Sequence, residues 1–215
     1  MWKDYAVTWQ FSGLLCGSVP QAKEMVRPWL ESRKPAKKPE GARSIDEIEQ
    51  EVLETIDADL IERITLGFQR DEEGLFVRGA TIKAHIKDCA NQVKEVVRKL
   101  HFKDKDKLGL KALVANKVYV AEYQVYLLRN GNHVKAEDGE REQPVHVMTA
   151  QGERSALKII RYVEKPEIRF TLRVLDDGVI TEEILGTIFD YGSVHGYGGE
   201  RSMGEGRYAW SMKAI

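Results

Sequence analysis

The stretch Gly192-Ser193-Val194-His195-Gly196-Tyr197-Gly198-Gly199-Glu200-Arg201-Ser202-Met203-Gly204-Glu205-Gly206-Arg207-Tyr208 gathers six glycines, with Arg201, Ser202 and Arg207 set among them. Glycine gives up more conformational freedom on folding than any other residue. Such a density therefore marks a backbone that turns through positive φ or passes close to a neighbour. The arginines make an anion the expected neighbour.

Two familiar phosphate loops fail on position. Gly199 and Gly204 have the spacing of a P-loop, but Glu205 stands where its lysine belongs and Gly206 where its hydroxyl belongs. Gly196 and Gly198 begin a dinucleotide fingerprint, but Arg201 occupies its third glycine position. The context is inverted as well, because both motifs join a strand to the helix that follows it. Here Thr181 caps a predicted helix that runs through about residue 191, and a final strand is predicted over 207–213.

Upstream of that helix, Ile168, Phe170, Leu172 and Val174 alternate with Arg169, Thr171 and Arg173, which predicts a strand over 167–175 that ends at the turn Asp176-Asp177-Gly178. Tyr5, Val7, Trp9 and Phe11 alternate in the same way and predict a first strand over 4–15. Further strands are predicted over 75–78, 118–128, 145–149 and 157–163. In the second of these Tyr119, Ala121, Tyr123, Val125 and Leu127 share a side, and Asn130-Gly131-Asn132 follows as a hairpin turn. Ser44 and Glu47 form a capping box ahead of an acidic helix predicted over 45–64. Gly79 opens a helix over 81–100 with an apolar stripe of Ile82, Ile86, Cys89, Val93, Val97 and Leu100. A different face carries Lys83, Lys87, Asn91, Lys94 and Arg98, and the lysine-rich tail 101–107 extends its charge. A short helix over 21–30 and a basic loop over 33–43 are predicted between the first strand and the acidic helix.

Leaving insertions aside, the order is strand, helix, strand, strand, helix, strand. This predicts an α+β, ferredoxin-like fold of the RNA-recognition type with an antiparallel sheet. The expected organisation is one elaborated domain over 1–215, a helical insertion over 20–72 after the first strand, and the glycine-rich loop over 192–207 before the last.

The totals set outer limits. The chain has 215 residues, 42% of them apolar, enough for a substantial core. Lysine and arginine number 33 against 34 acids, so any attraction to a polyanion must come from local patches. Cys16 and Cys89 are too few for a disulfide framework or a zinc site and read as two buried thiols. His101, His133 and His146 show no metal-ligand spacing. No leader pattern or long apolar run is present. A cytoplasmic protein without membrane, metal or cofactor is expected.

A glycine loop between helix and strand with the residues Gly196, Gly198, Gly199, Arg201, Ser202, Gly204, Gly206 and Arg207 resembles that of the RAMP superfamily, the RNA-binding proteins of CRISPR effector complexes. Within it, the likeness is to the small backbone subunits of type III complexes. Gly79-Ala80-Thr81-Ile82-Lys83 is similar to that family's helix start, and the likeness is fullest over 165–213. The resemblance implies RNA and further protein subunits as partners, with copies stacking along a guide RNA. It implies that the loop lies on the RNA backbone, where glycines admit N–H groups to phosphates and Arg201 and Arg207 fork onto their oxygens. Ser202 would add a hydroxyl donor, Tyr197 or Tyr208 would stack on an unpaired base, and Lys83 and Lys87 would extend the site.

Glu200 and Glu205 offset the two arginines where the family is basic, and no catalytic aspartate carries over onto Asp46 or another position. Two alternatives stay open. One is a metal-independent endoribonuclease that uses His195 or His85, neither of which has a partner recognisable by spacing. The other is an assembly or accessory protein that docks through the acidic helix.

Overall fold

A computed structural model describes residues 1–21, 44–55, 64–101, 109–149 and 152–215. The predicted helix over 21–30, except for Gln21, and the basic loop over 33–43 lie outside the described residues, as does most of the lysine-rich tail. The chain divides into two compact units, the first made of Met1–Leu15, Phe76–Val134 and Glu164–Ile215, the second of Cys16–Leu75 and Lys135–Val163. The fold is α+β, with mainly antiparallel strand pairs and four α-helices among the described residues.

The first strand, β1 (Trp2–Phe11), buries Tyr5, Val7, Trp9 and Phe11 and leaves the alternate residues outside. The chain leaves the first unit through β2 (Leu14–Cys16). In the second unit it forms β3 (Val19–Pro20), helix α1 (Ile45–Thr55), β4 (Ile64–Gly67) and β5 (Gln69–Arg70). The capping box forms as expected: the Ser44 hydroxyl accepts from the Glu47 N–H, and the Glu47 carboxylate accepts from the Ser44 N–H. The helix does not reach residue 64, because Ile64 opens β4, which pairs in parallel with Lys158. That sheet is completed by the long hairpin β10 (Gly139–Thr149) and β11 (Gly152–Glu164), in the order β10-β11-β4-β3. Pro144 sits in β10, an edge strand of that sheet, where proline is best tolerated. The insertion expected as helical thus contributes strands as well.

The first unit resumes with β6 (Leu75–Arg78), helix α2 (Gly79–His101), helix α3 (Leu110–Lys117), and strands β7 (Val118–Val120), β8 (Gln124–Arg129) and β9 (Asn132–His133). It ends with β12 (Glu167–Leu175), helix α4 (Glu182–His195) and β13 (Tyr208–Ala214). Its strands lie in the order β13-β1-β12-β8-β6, with β7 also pairing with β12. The pairs β1 with β12, β1 with β13 and β12 with β8 are all antiparallel. The Asn130-Gly131 turn takes φ of 52° and 79°, the positive pair that a tight hairpin requires.

One predicted strand is broken. Leu172 pairs with Val120 and Ile168 with Leu127, so four residues along β12 span seven along its partner. An odd excess flips the inward face, which is why Val118 is buried and Tyr119 and Tyr123 are exposed, while Val125 and Leu127 are buried. The Glu122 carboxylate fills the gap by accepting from the Thr171 N–H at 2.8 and 2.9 Å. A Cβ on Gly79 would stand 2.1 Å from the Glu122 carbonyl oxygen, so this glycine lets the bulge cross the start of α2.

The first unit's core closes around Trp9. Its ring stacks on Tyr208 of β13 at 4.4 Å and 17°, and meets Phe170 of β12, His85 of α2, Phe189 of α4 and Tyr197 edge-on. Its indole N–H is buried without an acceptor among the described residues, a cost of about 1–3 kcal/mol. Trp9→Ala should therefore lower the free energy of unfolding by about 3–5 kcal/mol. Trp9→Phe should cost clearly less, since it keeps most ring contacts and removes the orphan donor. Urea titration followed by circular dichroism checks the order, and equal losses would contradict it.

Candidate nucleic-acid interface

Helix α4 begins where the Thr181 hydroxyl accepts from the Ile184 N–H, and it ends at Gly196, whose φ is 82°. From there the loop goes out and comes back against itself. The Tyr197 N–H donates to the Gly206 carbonyl at 2.9 Å, and the Gly206 N–H donates to the Leu14 carbonyl at 2.9 Å. A Cβ on Gly206 would lie 1.9 Å from the Tyr197 carbonyl oxygen, and one on Gly196 would lie 2.4 Å from that of Glu205. No side chain fits at either crossing. Gly192 serves the core, since a Cβ there would stand 2.5 Å from the Tyr208 hydroxyl. The tip turns through Glu200 in the left-handed region, a short 3-10 turn over Arg201–Met203, and Gly204 at φ 86°.

The side chains sort into two sets. Tyr197 and Tyr208 are 6% and 4% exposed, so the expected base-stacking role is corrected: both rings are used up on Trp9. The Thr81 hydroxyl donates to the Arg78 carbonyl at 2.7 Å, which leaves it to accept from the Tyr197 hydroxyl at 2.6 Å. Arg201, Ser202 and Arg207 are exposed, and Gly198 and Gly199 are partly so. Arg207 lies back along the loop, its guanidinium 3.7 Å from where a Gly204 Cβ would be.

Arg201 meets two residues outside the glycine run. Its Nη1 lies 2.9 Å from His195 Nε2 and 3.5 Å from Asp88 Oδ2, and Asp88 is 3.6 Å from His195. Both histidines thus gain partners that spacing does not show. Asp88 of α2 went unrecognised in the sequence, although it shares a helix face with His85, one turn away, and Thr81, two turns away. His85 is 6% exposed, hydrogen-bonds the Tyr208 hydroxyl at 3.1 Å and lies parallel to His195 at 6.2 Å. It reaches no ligand.

Lys83 and Lys87 are not brought to the loop. At 3.6 residues per turn they stand roughly 140° around α2 from the face that carries Thr81, His85 and Asp88. Lys83 Nζ instead sits over the Tyr119 ring at 3.6 Å, and burial, with Lys87 adding to it, brings its ammonium down to about 8. Both cysteines are free and buried, as expected. Burial, with Asp88 adding to it, pushes the Cys89 thiol up to about 12, so it is inert as a nucleophile. No helix among the described residues is long and apolar enough to cross a membrane.

No family model matches the chain, and no curated protein matches it. Among solved structures it is similar to a chain in a cryo-EM structure of the type III-B Cmr-β bound to cognate target RNA, at 9% identity and a TM-score of 0.41. That match covers 100% of this chain and 61% of the other. A likeness so loose carries no argument about fold or ligand.

The buried imidazole makes stability depend on pH. Burial, with Arg201 and His195 adding to it, pushes His85 down to about 3, whereas a histidine in an unfolded chain takes its proton near pH 6.5. Between those values the unfolded state binds the extra proton, so stability is present above about pH 6.5 and is lost as pH falls toward 3. This one group contributes a slope of up to about 1.4 kcal/mol per pH unit. His85→Gln, which can still bond the Tyr208 hydroxyl without titrating, should flatten the acid limb of unfolding free energy against pH. An unchanged slope would exclude His85 as its source.

Proposed function

We propose that the chain is an RNA-binding subunit of a CRISPR-type ribonucleoprotein and that its glycine loop contacts the RNA backbone. The scaffold is a ferredoxin-like domain. In the first unit β1, α2, β7 with β8, β12, α4 and β13 follow the strand, helix, strand, strand, helix, strand order of that fold, and β6, α3 and β9 are additions. The second unit elaborates the same domain between β1 and β6 and between β9 and β12. Partners are RNA and other protein subunits, including further copies of this chain, in the cytoplasm.

What carries the proposal is the way the loop is built. Its two ends are bonded to each other and anchored by a buried tyrosine, while Arg201, Ser202 and Arg207 stay exposed. A braced backbone with exposed guanidinium and hydroxyl donors suits phosphate oxygens, because little order has to be created on binding. The contact set is Gly198, Gly199, Arg201, Ser202, Gly204 and Arg207, with Gly196, Gly206 and Tyr197 fixing its shape. Lys83 and Lys87 form a separate basic patch along the same helix. An endoribonuclease working through His85 or His195 would need that imidazole free at the RNA, but His85 is buried and His195 Nε2 is engaged by Arg201. Binding without cleavage is therefore favoured.

The purified protein should carry RNase-sensitive absorbance at 260 nm and should leave a labelled single-stranded RNA intact. Replacing Arg201 and Arg207 together with alanine should weaken RNA binding at moderate salt and lower the slope of log affinity against log salt by about 1.4, two contacts on a single strand. Binding that is equal in affinity and salt slope to that of the unaltered protein would remove the loop from the site.

A further inference from the structure

Three groups converge at the base of the loop's tip: Arg201, His195 at the end of α4, and Asp88 on α2. The short contact is between Arg201 Nη1 and His195 Nε2, at 2.9 Å. A guanidinium can only donate, so Nε2 must be accepting, and His195 in this arrangement is neutral with its proton on Nδ1. Asp88 Oδ2 waits at 3.6 Å from the same nitrogen and 3.5 Å from Arg201, too far for a strong bond to either.

Protonating His195 reverses these roles. Nε2 becomes a donor, loses the bond from Arg201 and repels it, and turns to Asp88, which is placed to accept. Arg201 is 40% exposed on its side chain and sits on a turn at the loop's tip, so it is free to swing outward. Two further rings face His195. Tyr191, on its own helix, stacks on it at 5.3 Å. His85 lies parallel at 6.2 Å and is held neutral by burial.

We propose that His195 is a proton-operated latch on Arg201: the neutral imidazole parks the guanidinium against α2, and the protonated imidazole hands itself to Asp88 and releases Arg201 to a phosphate. This rests on the loop being the RNA contact. By linkage, RNA that takes up Arg201 favours the protonated histidine to the same extent. The latch makes His195 and Asp88 positioning residues for an anion site rather than contacts of their own.

Two measurements test it. The first needs no RNA. Long-range proton–nitrogen spectra of the imidazoles between pH 5.5 and 8, with His195 assigned through His195→Gln, should show the neutral ring carrying its proton on Nδ1. The Arg201 guanidinium resonances should move with the same midpoint. A neutral ring protonated on Nε2, or Arg201 resonances that ignore the titration, would overturn the latch whatever the RNA result.

The second measures affinity for a labelled single-stranded oligouridylate over the same range. The unaltered protein should bind at least about fivefold tighter at pH 5.5 than at 8. His195→Gln, whose amide oxygen can still accept from Arg201 but cannot titrate, should lose most of that rise. Asp88→Asn should bind tighter at pH 8 and rise less. A full rise retained in His195→Gln would overturn the latch while leaving the loop in place. Affinity that is unaffected by Arg201→Ala at every pH would instead overturn the loop contact, and the spectra would still decide whether the latch exists.

Discussion

The first unit depends on one ring. Trp9 sits on the strand between β12 and β13, and its ring meets five others: one from each of those strands, one from each of α2 and α4, and one from the loop. Sheet, helices and loop therefore cannot be placed independently. Because Tyr197 belongs to this cluster, the position of the loop's incoming arm is set by core packing and precedes any ligand. A void or a change of ring shape at Trp9 would be felt at the loop as well as in the melting curve, since a close-packed interior transmits strain.

Five of the loop's six glycines divide by what they do. Gly196 and Gly206 permit two backbone crossings, and Gly192 admits the Tyr208 hydroxyl to the core. Gly198 and Gly204 supply positive φ at the tip, where only Glu200 takes such a conformation with a side chain. Much of the glycine count is therefore architecture. An anion site is supported not by glycine density but by the arginines and serine that this architecture holds outside, in a segment whose ends are hydrogen-bonded to each other.

The sequence was legible where burial is one-sided. The alternation in β1 and β12 and the stripe on α2 follow directly from a sheet covered on one face by helices, and the inward residues of β1 and β12 are buried, as are Ile82, Ile86, Cys89, Val93 and Val97 on α2. The capping box and the Asn130-Gly131 turn were legible because their chemistry is local. The bulge between β7 and β8 was not: Tyr119, Tyr123, Val125 and Leu127 keep an unbroken period of two, and only the Glu122 carboxylate meeting a backbone N–H across the sheet reveals the three extra residues. Helix α3 has almost no amphipathic pattern, and β4 is too short to show one. In the site, arginines among glycines were visible, whereas the burial of Tyr197 and the approach of Asp88 are products of tertiary packing and leave no spacing to read.

Tertiary packing also redistributes the charge around the loop. Counted along the chain, Arg201 and Arg207 are offset by Glu200 and Glu205. In space, the carboxylate against Arg201 is Asp88, more than a hundred residues earlier, while Glu205 lies toward Gly13, its Oε2 3.9 Å from where that residue's Cβ would be. Linear neutrality is thus a poor guide to what an incoming phosphate meets. On the proposed reading it would meet an arginine held by a long, half-exposed ion pair, of a kind worth only about 0–1 kcal/mol, and by a single hydrogen bond to an imidazole. Such a partner is strong enough to keep the guanidinium from wandering and weak enough to be exchanged for a doubly bonded phosphate oxygen pair.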